Sequence, residues 1–299
     1  MRALVISGGG SKGAFAGGVA QYLLRNKNIK YDLFLGTSTG SLLIPHLALN
    51  KIEKIKEIFT NVKQSNVFNR CPFIIKKKNG VFNISINHFN ILISFLKRRK
   101  TFGESQNLKK LIKKSITPEE FTELKKGEED VIVTVSNLST NKVEYKSIKD
   151  FDYDDFCDWI WISCNYIPFM SLANKNDNDY GDGGFTSLVP IMEAIKRGAT
   201  EVDVIILETE SPETINEIGK NPFSLMVNLF GIILEQVQLK DITIGKLAAE
   251  NEHIKLNLFY TPIELTHNAL VFNAEKMKEW WEEGFQYALK KSEPNFKAE

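Results

Sequence analysis

RALVISGGGSKG (residues 2–13) and YDLFLGTSTG (residues 31–40) share one pattern of residues. Each begins with a short apolar run, as in a strand, and ends in a glycine-rich turn. A pattern typical of a helix follows each turn, from Ala14 to Arg25 and from Ser41 to Asn50. Two successive strand–turn–helix units predict an α/β protein whose sheet is mostly parallel.

The second turn places a serine between two glycines, in the order Gly36, Thr37, Ser38, Thr39, Gly40. This is the G-x-S-x-G pattern, in which a nucleophilic serine stands on a sharp turn between a strand and a helix. Glycines are needed there because a neighbouring Cβ atom would crowd the serine hydroxyl. A glycine-flanked serine also occurs in ordinary turns, so the pattern alone does not make Ser38 a nucleophile.

Two further glycine motifs supply what a nucleophilic serine needs. The first turn reads Gly8-Gly9-Gly10-Ser11-Lys12-Gly13. It precedes a helix, and backbone amides at a helix N-terminus can stabilise an oxyanion. The other motif, Tyr180-Gly181-Asp182-Gly183-Gly184, presents a carboxylate in a glycine turn. A serine, a base and oxyanion donors together indicate acyl transfer.

In this order the three motifs resemble those of the patatin-like phospholipase family: G-G-G-x-[KR]-G, G-x-S-x-G and D-G-[AG]. The resemblance covers about residues 2–207 and implies a three-layer α/β/α fold around a central, mostly parallel sheet. It also implies a lipid acyl hydrolase of the phospholipase A type, in which Ser38 attacks the ester and Asp182 is the base of a dyad without histidine. The implied substrate is a phospholipid or another acyl-ester lipid, and neither a metal nor a cofactor is expected.

Two segments depart from the family pattern. Ser163-Cys164-Asn165-Tyr166-Ile167-Pro168 resembles A-S-x-[AS]-x-P, but Ser163 replaces the usual alanine, Cys164 the usual serine and Tyr166 a small residue. After Asp182 the family often has Asn-x-Pro, whereas Ser187-Leu188-Val189-Pro190 keeps only the proline. The departures leave the implied dyad intact and concern the acyl pocket around it.

The composition is that of an ordinary globular protein, with 43% hydrophobic and 25% charged residues among 299. We expect one catalytic domain over residues 1–299, because no repeat or low-complexity linker divides the chain. No basic and apolar leader is recognised, and the most apolar later stretch, residues 223–234, is too short to cross a bilayer. A cytoplasmic location is therefore expected. Cys71, Cys157 and Cys164 form no metal or disulfide pattern and fit a reducing compartment.

Charge is distributed unevenly along the chain. From Asn66 to Lys114 there are twelve Lys and Arg residues and one acid, Glu104, although the whole protein has a net charge of only +1. Apolar residues lie between these charges, as in segments that rest on anionic membranes. We expect a basic helical insertion at about residues 66–128 that either contacts such a membrane peripherally or caps the core. No nucleic-acid reading motif accompanies the charge, so nucleic acid is not an expected partner.

Three other functions fit part of the sequence. The first turn also matches G-x-G-x-x-G, with Asp32 at the spacing of a nucleotide-binding acid, but Asp32 would begin the second strand rather than end it. An α/β-hydrolase would combine Ser38 and Asp182 with His253 or His267, although its nucleophile normally follows several strands. A catalytically silent scaffold that binds membranes is the third alternative, which the intact motifs disfavour.

Two acidic stretches also suggest metal binding at first sight. The run from Asp150 to Asp158 precedes an apolar helix, so we expect it to cap that helix. The turn from Asn174 to Asp182 fails the register of a calcium loop, because a glycine occupies the wrong position. We expect this second stretch to be a β-hairpin that delivers Asp182.

Overall fold

The computed structural model describes residues 1–78, 81–211, 222–266 and 268–293. Its strands are β1 (Arg2–Ile6), β2 (Leu33–Thr37), β3 (Phe73–Lys78), β4 (Val81–Ile86), β5 (Asp130–Asn137), β6 (Lys142–Ser147), β7 (Ala173–Lys175), β8 (Asn178–Asp182), β9 (Glu201–Ile205) and β10 (Lys255–Phe259). Its α-helices are α1 (Gly13–Gln21), α2 (Thr39–Ala48), α3 (Ile52–Thr60), α4 (Gln64–Val67), α5 (His88–Leu96), α6 (Gln106–Ser115), α7 (Pro118–Lys126), α8 (Tyr153–Ser163), α9 (Ile191–Lys196), α10 (Pro222–Asn251) and α11 (Ala274–Lys291). None of the helices in these ranges combines the length and the apolar character that crossing a membrane requires.

The central sheet has the strand order β10-β9-β1-β2-β5-β8-β7, and β6 pairs with β5. Strands β10, β9, β1, β2 and β5 are parallel to their neighbours in this series. Strands β6, β7 and β8 join by antiparallel pairing, and β7–β8 is the expected hairpin. The mostly parallel sheet that the two opening strand–turn–helix units predict is therefore confirmed.

Side chains of β1 alternate between two apolar cores, one on each face of the sheet. Leu4 and Ile6 lie in the core formed with α1, α2, α8 and α11, and Ala3 and Val5 lie in the core formed with α9 and α10. All four side chains are fully buried, as expected for a parallel strand that helices cover on both faces. The expected α/β/α arrangement of layers is thereby confirmed.

The register of β5 brings the ends of β2 and β8 together. Thr134 of β5 pairs with Thr37, the last residue of β2, and Val135, the next residue of β5, pairs with Asp182 at the end of β8. Ser38 follows Thr37 directly in the chain. This register therefore places Ser38 and Asp182 next to each other, at the end of the sheet where the parallel strands have their carboxyl ends.

Residues 66–128, expected to be a helical insertion, also contain a β-hairpin. Strands β3 and β4 pair antiparallel, and helices α5, α6 and α7 follow them. Leu108 and Ile112 of α6 and Phe121 of α7 are buried in the main core. The helical expectation was wrong for β3 and β4, and α6 and α7 are integral to the packing of the domain.

Candidate active site

Ser38 lies in the sharp turn between β2 and α2. Its backbone has φ 53° and ψ −118°, a strained conformation that costs a non-glycine residue about 1–3 kcal/mol. The glycines on either side allow it, since a Cβ atom on Gly36 would lie 2.5 Å from the carbonyl carbon of Gly40. A Cβ atom on Gly40 would collide with the carbonyl oxygen of Ile6. Close backbone packing therefore holds the serine in its strained turn.

Ser163 supports this turn through a directed chain of hydrogen bonds. The backbone N–H of Ser38 donates to the Ser163 hydroxyl at 2.9 Å. The hydroxyl of Ser163 lies 2.9 Å from that of Ser41, which donates to the Gly36 carbonyl at 2.8 Å. Because Ser41 uses its hydrogen on Gly36, Ser163 is the donor of that pair. The next residue, Cys164, donates its thiol hydrogen to the Ser38 carbonyl at 3.1 Å. Ser163 and Cys164, two of the departures from the family pattern, thus contact the backbone of Ser38.

Asp182 is buried beside Ser38 and accepts hydrogen bonds on its carboxylate. The N–H of Gly184 donates to Oδ1 at 2.8 Å, and the Ser38 hydroxyl is near enough to the carboxylate to favour its ionised form. Its own backbone N–H donates to the Asn165 carbonyl at 2.9 Å. Burial raises the pKa of the Asp182 carboxyl to about 7, and the neighbouring Ser38 hydroxyl and Gly184 N–H oppose this rise. A carboxyl group with such a pKa can accept and return a proton near neutral pH.

The glycine-rich turn after β1 lies at the same edge of the sheet, and only some of its amides are free. The amides of Gly8, Ser11 and Lys12 donate to the carbonyls of Leu188, Ala269 and Gly9, at 3.4, 2.8 and 3.1 Å. Within the ranges that the structure describes, no acceptor bonds to the amides of Gly9 and Gly10. Two neighbouring N–H groups are therefore available to an anion beside Ser38.

Side chains and close contacts hold this turn in place. The Lys12 side chain is buried and pairs with Glu208, which follows β9. Gly10 has φ 55°, and a Cβ atom there would collide with the Ala269 carbonyl. Gly13 approaches the start of α2 so closely that a Cβ atom would collide with the Thr39 hydroxyl. The turn is thus fixed against both β9 and α2.

Asp241, which no sequence motif marked, lies on α10 behind the segment that follows Asp182. Its carboxylate accepts the N–H of Val189 at 2.9 Å and the hydroxyl of Ser187 at 3.3 Å. Burial raises the pKa of Asp241 to about 6, and these hydrogen bonds oppose the rise. Asp241 therefore fastens the segment that lacks the family's Asn-x-Pro to α10. Because α10 also contains Glu235 and Glu250, nothing in the sequence distinguishes Asp241 from the other acids of the helix.

A cavity of about 830 Å³ extends from Ser38 and Asp182. Pockets for small ligands measure about 300–1,000 Å³, so its volume suits a ligand. Gly8, Gly9 and Gly10 line it beside the serine. Apolar side chains form most of the remaining wall, among them Leu42, Ile55, Phe59, Leu108, Ile112 and Leu234. Ser38 thus lies in the wall of a cavity whose apolar lining suits an apolar chain.

Tyr166, which replaces a small residue of the family pattern, belongs to an aromatic wall of this cavity. Its ring stacks on those of Phe169 and Phe185, with ring centres 5.6 Å apart in each pair. Phe230 of α10 meets the same ring edge-on at 6.2 Å. Burial, together with the charge of Asp182, raises the pKa of the Tyr166 phenol, so the wall stays uncharged.

The positions of Asp32 and His253 exclude the roles that two alternatives require of them. Asp32 precedes β2 and accepts the N–H of Arg2 at 2.7 Å, and His253 is exposed in the turn before β10. Both lie at the amino ends of parallel strands, whereas Ser38 follows the carboxyl end of β2. Asp32 is therefore not beside the glycine turn, and His253 does not complete a triad with Ser38. The other candidate, His267, lies outside the described residues.

The acidic run before α8 has structural roles. Asp152 caps the helix by accepting the N–H of Asp155 at 2.8 Å, as the sequence predicts. Asp154 and Asp158 pair with Lys113 and Lys109 of α6, at 2.6 and 2.8 Å. In the described part of the chain, no three His, Cys, Asp or Glu side chains are grouped so that they could hold a metal ion.

Residues 4–195 match the family model of the patatin-like phospholipase. The match covers more than half of the chain and includes the three glycine motifs. The chain therefore belongs to the patatin-like phospholipase family. Membership supports an esterase or lipase type of hydrolase that acts on lipid acyl esters, at the level of the family.

The crystal structure of VipD from Legionella pneumophila is similar in fold. The TM-score is 0.53 at 13% sequence identity, and the match covers 97% of this chain. It covers 66% of the VipD chain, slightly less than two thirds of that chain's length. At this identity the likeness concerns the fold alone, and it agrees with the α/β/α arrangement. Among curated proteins, none matches this sequence.

Proposed function

We propose that this protein is a lipid acyl hydrolase of the phospholipase A type that cleaves carboxylic esters through a Ser38–Asp182 dyad. One observation carries the proposal: Ser38 lies beside the buried Asp182 carboxylate at the wall of a largely apolar cavity. In a dyad without histidine, the carboxylate must be basic enough to accept the serine proton near neutral pH. The pKa of about 7 for Asp182 meets that need.

In the proposed reaction, Ser38 Oγ attacks the ester carbonyl while Asp182 takes the hydroxyl proton. The tetrahedral intermediate then collapses to an acyl-enzyme, and Asp182 gives the proton to the departing alcohol. Asp182 next takes a proton from a water molecule, which attacks the acyl group and releases the fatty acid. The proton held by Asp182 returns to Ser38, so the site ends as it began, and no metal or cofactor takes part.

The amides of Gly9 and Gly10 are the proposed donors to the oxyanion of the intermediate. Other amides of the turn donate to protein carbonyls, and the long 3.4 Å bond of Gly8 leaves it a supporting part. Lys12, through its pair with Glu208, and Gly13, through its contact with α2, would hold the donors in place. Each donor of this kind contributes about 2.7–4 kcal/mol to transition-state stabilisation.

A long acyl chain is the substrate group that the cavity suits best. Each buried methylene contributes about 0.8 kcal/mol, so longer chains gain affinity while the apolar wall continues. The substrate we propose is a phospholipid, whose head group would stay outside. Peripheral contact of residues 66–114 with an anionic membrane would supply it to a protein that is otherwise cytoplasmic.

Product analysis by mass spectrometry after incubation with a mixed phospholipid extract tests this function. We expect free fatty acids together with the matching lysophospholipids. Folded protein that releases neither, with long-chain esters also left intact, would contradict the proposal. A rise in Tm on addition of a nucleotide would favour a nucleotide-binding module instead.

The rate of ester hydrolysis is expected to rise with pH through about 7. Only the ionised form of Asp182 can accept the Ser38 proton, and burial raises the pKa of this carboxyl to about 7. Below that pH, kcat/KM should fall about tenfold per pH unit. The measurement is kcat/KM for a soluble ester from about pH 5 to about pH 9. A profile that is flat down to the ordinary pKa of an aspartate would show that Asp182 is not the base.

Gly10→Ala is expected to lower kcat by about 10²–10³-fold, the typical effect of losing one oxyanion donor. The cause is steric: Gly10 has φ 55°, and a Cβ atom would collide with the Ala269 carbonyl, so the turn must shift. Gly198→Ala is the matched control, because Gly198 has φ 92° but lies before β9, at the opposite edge of the sheet. Both variants should lose stability, but only Gly10→Ala should lose turnover. Normal folding and full turnover of Gly10→Ala would make the turn purely structural.

A further inference from the structure

Helix α5 presents an apolar patch to solvent. Phe89, Leu92, Phe95 and Leu96 are 71%, 57%, 67% and 75% exposed. Residues three and four positions apart share one face of a helix, so Phe89, Leu92 and Leu96 extend along one side. Single exposed apolar residues are ordinary, whereas four on a helix of nine residues mark a contact surface.

A basic turn, residues 97–100 (KRRK), follows this helix directly. Arg99 and Lys100 pair with Glu104 and Asp179, at 3.8 and 3.2 Å. Lys97 and Arg98 are exposed, and neither has an ion-pair partner among the residues that the structure describes. Two cations without an ion-pair partner in the described part of the chain thus adjoin the apolar patch, and anionic lipid head groups attract such a combination.

Some of the other basic residues of the 66–114 segment pair with acids within the fold. Arg70 pairs with Glu104 at 2.7 Å, and Lys109 and Lys113 of α6 pair with acids of α8, as described above. The uneven charge along the sequence is therefore partly neutralised in space by acids outside the segment. The charge offered to a membrane is smaller than the sequence suggests, and part of it adjoins α5.

The first half of α10 has a second exposed apolar face, next to the cavity. Leu225, Leu229 and Ile233 lie four positions apart along this helix, and all three are exposed. Val227 and Leu234, from other faces of the same half, line the cavity that holds Ser38. One helix thus separates this part of the cavity from solvent.

Aromatic contacts link α5 to this half of α10. Phe95 of α5 contacts Phe102, Phe102 contacts Phe169, and Phe169 contacts Phe230 of α10, with ring centres 5.8, 6.5 and 6.1 Å apart. Phe169 also lines the cavity. The two helices that carry exposed apolar surfaces are therefore connected through a wall of the cavity that holds Ser38.

We propose that α5, its basic turn and the first half of α10 form one docking surface for an anionic phospholipid bilayer. Apolar side chains of α5 enter the interface, Lys97 and Arg98 meet lipid phosphates, and α10 brings the cavity to the lipid. The inference rests on the proposed function, because the surface supplies that site with its lipid. The docking surface narrows the expected membrane contact from the whole 66–114 segment to α5 and its basic turn. It also includes the first half of α10.

Co-sedimentation of the full chain with vesicles tests the surface. The vesicles are phosphatidylglycerol mixed with phosphatidylcholine, or phosphatidylcholine alone, at low and high salt. One double variant, Phe89→Glu with Leu92→Glu, removes the patch, and another, Lys97→Glu with Arg98→Glu, reverses the free charges. Matched controls are Ile244→Glu with Leu247→Glu, at 51% and 56% exposure on the far half of α10, and Lys27→Glu with Lys30→Glu, before β2. Hydrolysis of a water-soluble ester is measured in parallel.

The wild type should bind the anionic vesicles, with weaker binding at high salt because the charges are screened. Each α5 variant should bind them about 10-fold or more weakly, while the controls bind as the wild type does. Soluble-ester hydrolysis should be unchanged in all of them, since none of these residues lines the cavity. Wild-type binding of the α5 variants, equal loss in the controls, or no binding of the wild type would overturn the docking surface. A wild type that binds vesicles but hydrolyses no ester would overturn the proposed function and leave the docking surface standing.

Discussion

Ser38→Ala is expected to lower kcat/KM for ester hydrolysis by about 10⁴-fold or more, the scale seen when a hydrolase loses its nucleophile. The acyl-enzyme cannot form without the Ser38 hydroxyl, and oxyanion donors and substrate binding alone leave little rate enhancement. The variant should fold normally, because alanine is as strained as serine at φ 53° and ψ −118°. Hydrolysis of a fluorogenic acyl ester and thermal unfolding together separate loss of chemistry from loss of fold.

The matched control for this variant is Ser139→Ala, in the turn between β5 and β6. Ser139 is exposed, and its hydroxyl accepts the N–H of Asp179 rather than contacting the candidate site. We expect wild-type hydrolysis from this variant. Retention of hydrolysis by Ser38→Ala would remove the nucleophile from the mechanism, whatever the control does.

Asp182→Asn should lower kcat by about 10²–10⁴-fold and stabilise the protein at the same time. The amide cannot accept the Ser38 proton, so chemistry is lost. Asparagine Oδ1 can still accept the Gly184 N–H that Asp182 accepts at 2.8 Å, so the local turn is kept. The substitution of this one buried carboxylate would thus lower activity and raise stability.

The stability gain follows from the raised pKa of Asp182. Because the folded pKa is about 7 and the ordinary value is 3.8, the folded state binds the proton more tightly than the unfolded state between those pH values. The free energy of unfolding of the wild type therefore falls as pH rises from about 4 to about 7. The difference corresponds to about 4 kcal/mol above both pKa values, and the uncharged amide escapes this cost.

Urea unfolding of the wild type and Asp182→Asn at about pH 4 and about pH 8 measures this effect. We expect similar stabilities at the lower pH and a more stable variant at the higher pH. Asp203→Asn is the contrasting control, since the buried Asp203 carboxylate accepts hydrogen bonds from Arg2 and should lose stability without its charge. Equal stabilities of Asp182→Asn and the wild type at both pH values would show that Asp182 does not titrate as described.

The fold and the two central residues could be predicted because their signals are local in sequence. Two strand–turn–helix units determine the parallel start of the sheet, and the glycines around Ser38 and Asp182 mark turns with special backbone geometry. The contact between these two residues depends on the register of β5, which pairs with both β2 and β8. Only the resemblance to a family supplied that pairing from the sequence.

Other features depend on partners that are far apart in the chain. Lys109 and Lys113 look like free charge in the sequence, but their partners, Asp158 and Asp154, lie on another helix. Ser163 departs from the family motif, and only the structure shows that its hydroxyl accepts the Ser38 N–H. The hairpin β3–β4 is different, since Asn79-Gly80 between two strand-like runs is a hairpin signal that the basic composition obscured.

Mapping the site of covalent labelling shows whether Ser38 is the nucleophile. The wild-type protein is treated with a fluorophosphonate at several pH values and digested, and the modified residue is located by mass spectrometry. We expect one modified residue, Ser38, with a labelling rate that rises with pH through about 7 as Asp182 ionises. Active protein that is modified at another residue, or that remains unlabelled at Ser38, would contradict this expectation.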